Sequence, residues 1–268
     1  MKTKELMKQL EEGVEQVFKS GNFKEWLKVQ QIFHNYSYCN TMLILLQRSN
    51  ATQVAGYRTW EKLRRYVKRG EKGIAILAPM ITRQKDKDGK MEESVLYGFK
   101  PVYVFDISQT EGKDLPEIAK EITTSSQVAQ EMIPKLHEIA SKKDIKIVYF
   151  QGRPDEAMGY YAPQTNEIGL IEASADQQAK TYIHELAHAL TYTEDANYQE
   201  GELIAEGTAF IVAAHFGLDT SSYSFEYVAA WASRAEKDAL KKVARTIQKT
   251  ANHFIQEMET KKEKILVG

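Results

Sequence analysis

Thr181-Tyr182-Ile183-His184-Glu185-Leu186-Ala187-His188-Ala189-Leu190 is the stretch on which the reading of this chain turns. Its apolar residues, Tyr182, Ile183, Leu186, Ala187 and Leu190, suit a largely buried helix. On a helix, residues four apart stack on one face, so His184 and His188 present both imidazoles to the same side. Two ligands of a tetrahedral zinc ion need that placement, and Glu185 sits beside them as general base for an attacking water. Two histidines and a glutamate buried in an apolar helix are costly unless a partner offsets their desolvation. A metal site is therefore the expectation, with His184 and His188 as ligands and Glu185 catalytic.

A catalytic site of this kind takes a third protein ligand and keeps one position open. Downstream, Glu202 and Glu206 are four apart and share a helical face within an apolar stretch. Ala205-Glu206-Gly207-Thr208 resembles the third-ligand helix of glutamate zincins, so Glu206 is expected as third ligand. Glu202 is then a carboxylate that orients a ligand histidine, and the reverse assignment stays open. His215, on the same apolar stretch, reads as structural. Upstream, Gly159–Pro163 and Glu167–Ile171 read as two short strands, one of them an edge along which an extended peptide can add. Tyr160 or Tyr161 would line that cleft, as could Tyr227 and Trp231 on the next helix.

The charge distribution separates two halves. The 268 residues hold 36 Lys+Arg and 37 Asp+Glu, a net of −1, which excludes a polybasic protein. Residues 1–115 carry 20 basic and 14 acidic side chains (+6), and residues 116–268 carry 16 and 23 (−7). Such asymmetry points to an electrostatic partner for one half. A 43% hydrophobic content is enough to bury a core. The lone Cys39 allows no intrachain disulfide. The charged, amphipathic N-terminus is unlike a signal peptide, and no apolar run reaches the roughly 18 residues of a membrane span. No membrane partner and a cytoplasmic location are expected.

In the first half, helices are expected at 4–30, 36–48 and Thr59–Tyr66, with Thr59 as N-cap. Strands are expected at Ile74–Leu77 and Val95–Ile107, with a hairpin tip at Lys85–Glu93 and a linker at Thr110–Pro116. The second half reads as a helix at 125–142, three strands, then helices near 176–192, 200–216 and 224–260, the last with a break near Ser233. Strands and helices segregate, an α+β pattern. Arg58–Lys72 holds seven basic and two acidic residues around Trp60 and Tyr66. Basic groups neutralise phosphates and aromatics stack bases without sequence preference, and a solvated basic helix is the plainer alternative. Tyr36, Asn40, Tyr57, Trp60, Lys68, Arg69 and Lys72 are the DNA-binding candidates.

Asn35-Tyr36-Ser37-Tyr38-Cys39-Asn40, the Leu43–Leu46 run, Gly56-Tyr57-Arg58-Thr59-Trp60, Val67-Lys68-Arg69-Gly70-Glu71-Lys72-Gly73, and Val102-Tyr103-Val104-Phe105-Asp106 with Gln109 follow in an order similar to the N-terminal domain of ArdC-type antirestriction proteins. His184–His188 with Glu202–Glu206 is similar to that family's zincin-like C-terminal domain. The resemblance runs from about residue 33 to 255. It implies a single-stranded-DNA-binding domain (1–115) followed by a zinc metallopeptidase-like domain (116–268), in a protein of mobile genetic elements that shields incoming DNA from restriction. The implied partners are single-stranded DNA and a protein or peptide substrate. The implied cofactor is Zn2+, although other divalent ions suit such ligands. Two other readings stay open: a DNA-protecting protein whose metal is structural or dispensable, and a regulatory peptidase of the ImmA/IrrE type that cleaves a repressor.

Overall fold

The structure, a computed structural model, describes residues 3–19, 23–85, 91–113, 125–151, 158–193, 197–223, 225, 228 and 231–259. The chain divides into two compact units. One comprises residues 1–15 and 39–115, and the other 16–38 and 116–268. The division falls after Leu115, while residues 16–38, expected with the first domain, group with the second.

In the first unit, α3 (Tyr38–Gln47) packs against an antiparallel sheet of order β1-β4-β3, formed by Val54–Gly56, Met91–Asp106 and Ile74–Lys85. Four consecutive residues of β3, Ile74 to Leu77, are buried, so both faces of the strand are covered there. Its outer edge is covered by amide side chains of α3. Asn40 Nδ2 donates to Leu77 O at 3.0 Å and Oδ1 accepts from Leu77 N at 2.9 Å. Gln47 does the same with Ala75, at 2.8 and 3.0 Å. Two helix side chains thus replace a missing strand, and the edge has no unpaired groups there to recruit another chain.

Several expected boundaries move. The helix expected over 4–30 is two, α1 (Thr3–Lys19) and α2 (Phe23–Ile32), and the poor helix formers Ser20-Gly21-Asn22 between them lie outside the described residues. Helix α4 spans Tyr57–Lys62 with Gly56 rather than Thr59 at its N-cap. Arg64 then turns the chain with φ 58°, and Arg65–Val67 forms β2. Thr110–Gly112, expected as linker, is β5 and pairs with β2. The buried Arg65 guanidinium fixes that pairing by donating to Thr110 Oγ1 (2.8 Å), Thr110 O (3.2 Å) and Lys113 O (2.6 Å). The expected hairpin tip falls at 86–90, outside the described residues.

In the second unit, α5 (Ser125–Ser141) precedes a sheet of order β6-β8-β7, from Lys146–Phe150, Glu167–Ile171 and Gly159–Ala162. Then come α6 (Ala175–Thr191), α7 (Tyr198–Phe216) and α8 (Lys237–Met258). Val228, Trp231 and Ala232 are helical ahead of a turn at Ser233–Ala235, where the sequence suggests a break. Helix α7 packs against α6, α8 and α2 and is buried over Leu203–Ala213 except at Glu206. Gly207 lets α8 approach it closely, since a Cβ there would sit 2.9 Å from Ile247 Cδ1. His137 on α5 ties α6 in place, 3.1 Å from the Tyr182 hydroxyl and 2.9 Å from that of Tyr149 on β6. The segregated order makes the fold α+β. Among the described residues no helix is long and apolar enough to cross a membrane.

Replacing Asn40 by Ala leaves Leu77 N–H and C=O without their partners. A destabilisation of about 1–3 kcal/mol is expected, read as a lowered denaturation midpoint. Gln47→Ala is expected to act similarly through Ala75.

Candidate metal centre and nucleic-acid surface

Helix α6 begins at Ser174, whose hydroxyl accepts from Gln177 N at 3.5 Å, and α7 begins at Asn197, whose Oδ1 accepts from Gln199 N at 2.9 Å. These caps set where each helix starts and hence which side chains face each other. His184 Nε2 and His188 Nε2 lie 3.1 Å apart. Glu202 meets both, Oε1 3.3 Å from His188 Nε2 and Oε2 3.7 Å from His184 Nε2. Glu206 instead approaches the other nitrogen of His184, with Oε2 3.3 Å from Nδ1.

The geometry brings Glu202, rather than Glu206, to the two Nε2 atoms. Glu202 supplies the third convergent donor atom, within 4.8 Å of the others. Glu206 takes the position from which a carboxylate orients a ligand histidine. This placement follows from the antiparallel course of α6 and α7. The earlier turn of α7 faces the outer tips of the imidazoles, and one turn later Glu206 faces the inner nitrogen of His184.

The residues present fit a divalent ion. Two metal–ligand bonds of about 2.1 Å at a tetrahedral angle separate their donors by about 3.4 Å. The contacts of 3.1, 3.3 and 3.7 Å bracket that value. The electrostatics agree. Burial disfavours a charged His184 ring, yet hydrogen bonds to Glu202 and Glu206 outweigh it and push its pKa up to about 9. Hydrogen bonds from His184 and His188 hold the Glu202 carboxyl well below the usual carboxylate range. The cluster thus favours positive charge at its centre. Glu185 is 7% exposed, and that burial pushes its carboxyl up, toward a group able to take and return a proton.

These side chains open into a cleft of about 690 Å3 lined also by Tyr160, Tyr161, Lys180, Tyr192, Tyr198 and Tyr223. Tyr160 and Tyr161 lie where the sequence suggests. Trp231 does not line the cleft. It is 7% exposed and packs against Phe18, and Tyr227 lies outside the described residues. Strand β7 runs beside α6 at the end of the sheet order, and among the described residues no strand pairs with its outer edge. Gly159 makes this approach feasible. A Cβ there would lie 2.6 Å from Thr181 Cγ2 and 3.1 Å from Glu185 Cγ. Nothing in the sequence marks Gly159, since a lone glycine before a strand carries no signal of what packs against it.

The seven nucleic-acid candidates do not form one cluster. Tyr36 lies in the second unit, half-buried beside Phe33. Asn40 is committed to Leu77, and Trp60 is 2% exposed with its indole N–H donating to Phe105 O at 2.9 Å. At that exposure the Trp60 ring offers no face for a base as placed. Tyr57, Lys68, Arg69 and Lys72 are exposed. The basic loop bearing the last three is anchored at its base. Lys68 N donates to Gln109 O (2.9 Å), and Gln109 Nε2 donates to Glu71 Oε2 (2.8 Å) and Lys72 O (2.9 Å). Gln109 in turn belongs to a capping box with Asp106. Burial opposes charge on Asp106, but donors on Ser108, Thr52 and Gln53 hold its carboxyl low.

Along β4 the structure exposes aromatics absent from the sequence-derived candidates. Phe99 and Tyr103 of β4 are 42% and 50% exposed, and their even spacing puts them on one face. Gly73, at the end of the basic loop, lies against Tyr103 and Phe105, and Tyr57 stands edge-on to Phe105 at 6.5 Å. The alternation in Phe99-Lys100-Pro101-Val102-Tyr103 was the available signal.

Residues 2–111 match the family model described as the N-terminal domain of anti-restriction factor ArdC. The chain is 28% identical over 307 residues to the uncharacterized protein pXO2-81 of Bacillus anthracis, a match covering 97% of this chain and 51% of that protein. It thus spans about half the length of this curated relative. Two crystal structures of antirestriction protein ArdC from plasmid R388 share the fold at 20% identity. The metal-free form matches with TM-score 0.51 over 82% of this chain and 84% of that one, and the Mn(II)-bound form with 0.58 over 94% and 98%. Residues 2–111 are thus similar to the N-terminal domain of anti-restriction factor ArdC, and the fold shared with R388 ArdC extends over most of the chain.

Proposed function

We propose that this is an antirestriction-type protein of a mobile genetic element, acting in the cytoplasm, that binds single-stranded DNA and carries a metal-dependent peptidase site. The convergence of His184, His188 and Glu202 beside a buried Glu185 carries the peptidase reading. The Mn(II)-bound state of R388 ArdC supports a divalent ion for this chain as well, and a set of two histidines and one carboxylate favours zinc.

His184, His188 and Glu202 would hold the ion, and Glu206 would fix the His184 ring through Nδ1. When bound, the ion supplies Lewis-acid polarisation of a carbonyl and acidifies water. Glu185, buried alongside, takes the proton of the attacking water and returns it to the leaving amine. The open edge of β7 receives an extended peptide by backbone hydrogen bonding, and Gly159 keeps that edge within reach of Glu185. The cleft tyrosines flank the bound chain. On the other unit, Lys68, Arg69 and Lys72 meet phosphates while Tyr57, Phe99 and Tyr103 offer faces on which bases stack.

The ligand assignment is tested by divalent-ion affinity. Glu202→Gln is expected to abolish tight binding, and Glu206→Gln to weaken it about 10–100-fold. The opposite ranking would restore Glu206 as ligand. Glu185→Gln should retain the ion, measured by metal analysis, and lose peptide hydrolysis. Full hydrolysis by that variant would exclude Glu185 as the base. Oligonucleotide affinity should fall steeply with salt, and each of Lys68→Ala, Arg69→Ala and Lys72→Ala should reduce the slope of log K on log salt by about one. Tyr103→Ala should cost about 1–3 kcal/mol of binding. Salt-independent binding would reject the phosphate contacts.

A further inference from the structure

Away from the cleft, three metal-ligating side chains from distant parts of the second unit meet. His34 follows α2, His215 stands in the last turn of α7, and Glu259 caps the C-terminus of α8. One ligand atom from each lies within 4.8 Å of the other two. His215 Nε2 is 3.1 Å from Glu259 Oε1, and the rings of His34 and His215 stand edge-to-face with centroids 4.7 Å apart.

The cluster is buried and His34 is held from two sides. His34 is 1% exposed, and the side chains of His215 and Glu259 are 18% and 6% exposed. Gln248 Nε2 donates to the His34 carbonyl at 3.1 Å, and Asn252 Oδ1 lies 3.1 Å from His34 Nδ1. An amide oxygen only accepts, so Nδ1 carries the ring proton and Nε2 bears a lone pair. That Nε2 is buried and has no hydrogen-bond partner among the described residues. A histidine whose other nitrogen donates to a carbonyl is the usual form of a metal ligand.

A His215–Glu259 ion pair alone does not account for the arrangement. It would satisfy the carboxylate but leave the desolvated lone pair of His34 unmatched, which is unfavourable. A cation among the three answers all of them. From this geometry we infer that His34, His215 and Glu259 form a second divalent-metal site, for a zinc-class ion. It braces the chain after α2 and the C-terminal ends of α7 and α8. Two imidazoles and a carboxylate suit zinc or cobalt better than calcium or magnesium.

The test uses the full chain, stripped with a chelator and titrated with Co(II) or Zn(II), with bound metal measured per chain. Two equivalents are expected in the unsubstituted protein. One is expected in His184→Ala/His188→Ala, and none when His215→Asn is added to that pair. In the His184→Ala/His188→Ala background zinc should raise Tm, and Glu259→Gln should remove the rise. Glu259→Gln also serves if His215→Asn fails to fold. The inference is overturned if His184→Ala/His188→Ala binds no metal and its Tm ignores zinc. It is equally overturned if its remaining equivalent survives both His215→Asn and Glu259→Gln. A single equivalent in the unsubstituted protein that survives loss of His184 and His188 but not of His215 would leave this site standing while removing the cleft site.

Discussion

Packing α6 against α7 brings two imidazoles and two carboxylates into a space only partly open to water. Desolvation of ionisable groups is expensive, and it is tolerated only where charges and donors answer one another. The arrangement meets that condition in layers: Glu202 faces the outer imidazole nitrogens, Glu206 the inner nitrogen of His184, and Glu185 lies buried alongside. Most of the second unit serves to fix those two helices. Tyr182 and His137 seat α6 on α5, Gly207 draws α8 onto α7, and Gly159 lets the sheet edge reach the base of the cleft.

The first unit solves a different problem by related means. Its basic loop must stay exposed without being loose. Gln109 and Asp106 do this from beneath, holding the loop by its backbone so that Arg69 and Lys72 project outward. Likewise, Asn40 and Gln47 close the edge of β3 with side-chain amides. Polar residues that resemble ligand contacts in the sequence are here substitutes for peptide groups. This explains why Asn40 looked like a binding residue: an amide that recognises a backbone is chemically indistinguishable, in sequence, from one that recognises a ligand.

Two of the histidines illustrate the same ambiguity from the other side. His215 sits on an apolar helix and reads as a packing residue. Only folding sets it against Glu259 and His34, which are 44 and 181 positions away. No local spacing connects the three, whereas His184 and His188 announce themselves because four residues make about one helical turn.

What the sequence determined alone is what depends on short-range periodicity. The helix of His184 and His188, the α+β order, the basic character of Arg58–Lys72 and the ArdC resemblance all rest on patterns within one element or on their order along the chain. What only the tertiary structure decided depends on how elements face one another. Which imidazole nitrogens Glu202 and Glu206 face is set by the phase of α7 against α6. The withdrawal of Trp60 into the core is set by α4 docking on β4. The aromatic face of β4 and the grouping of residues 16–38 with the second unit arise in the same way. A helix fixes which side chains share a face, but only its partner fixes which of them meets what.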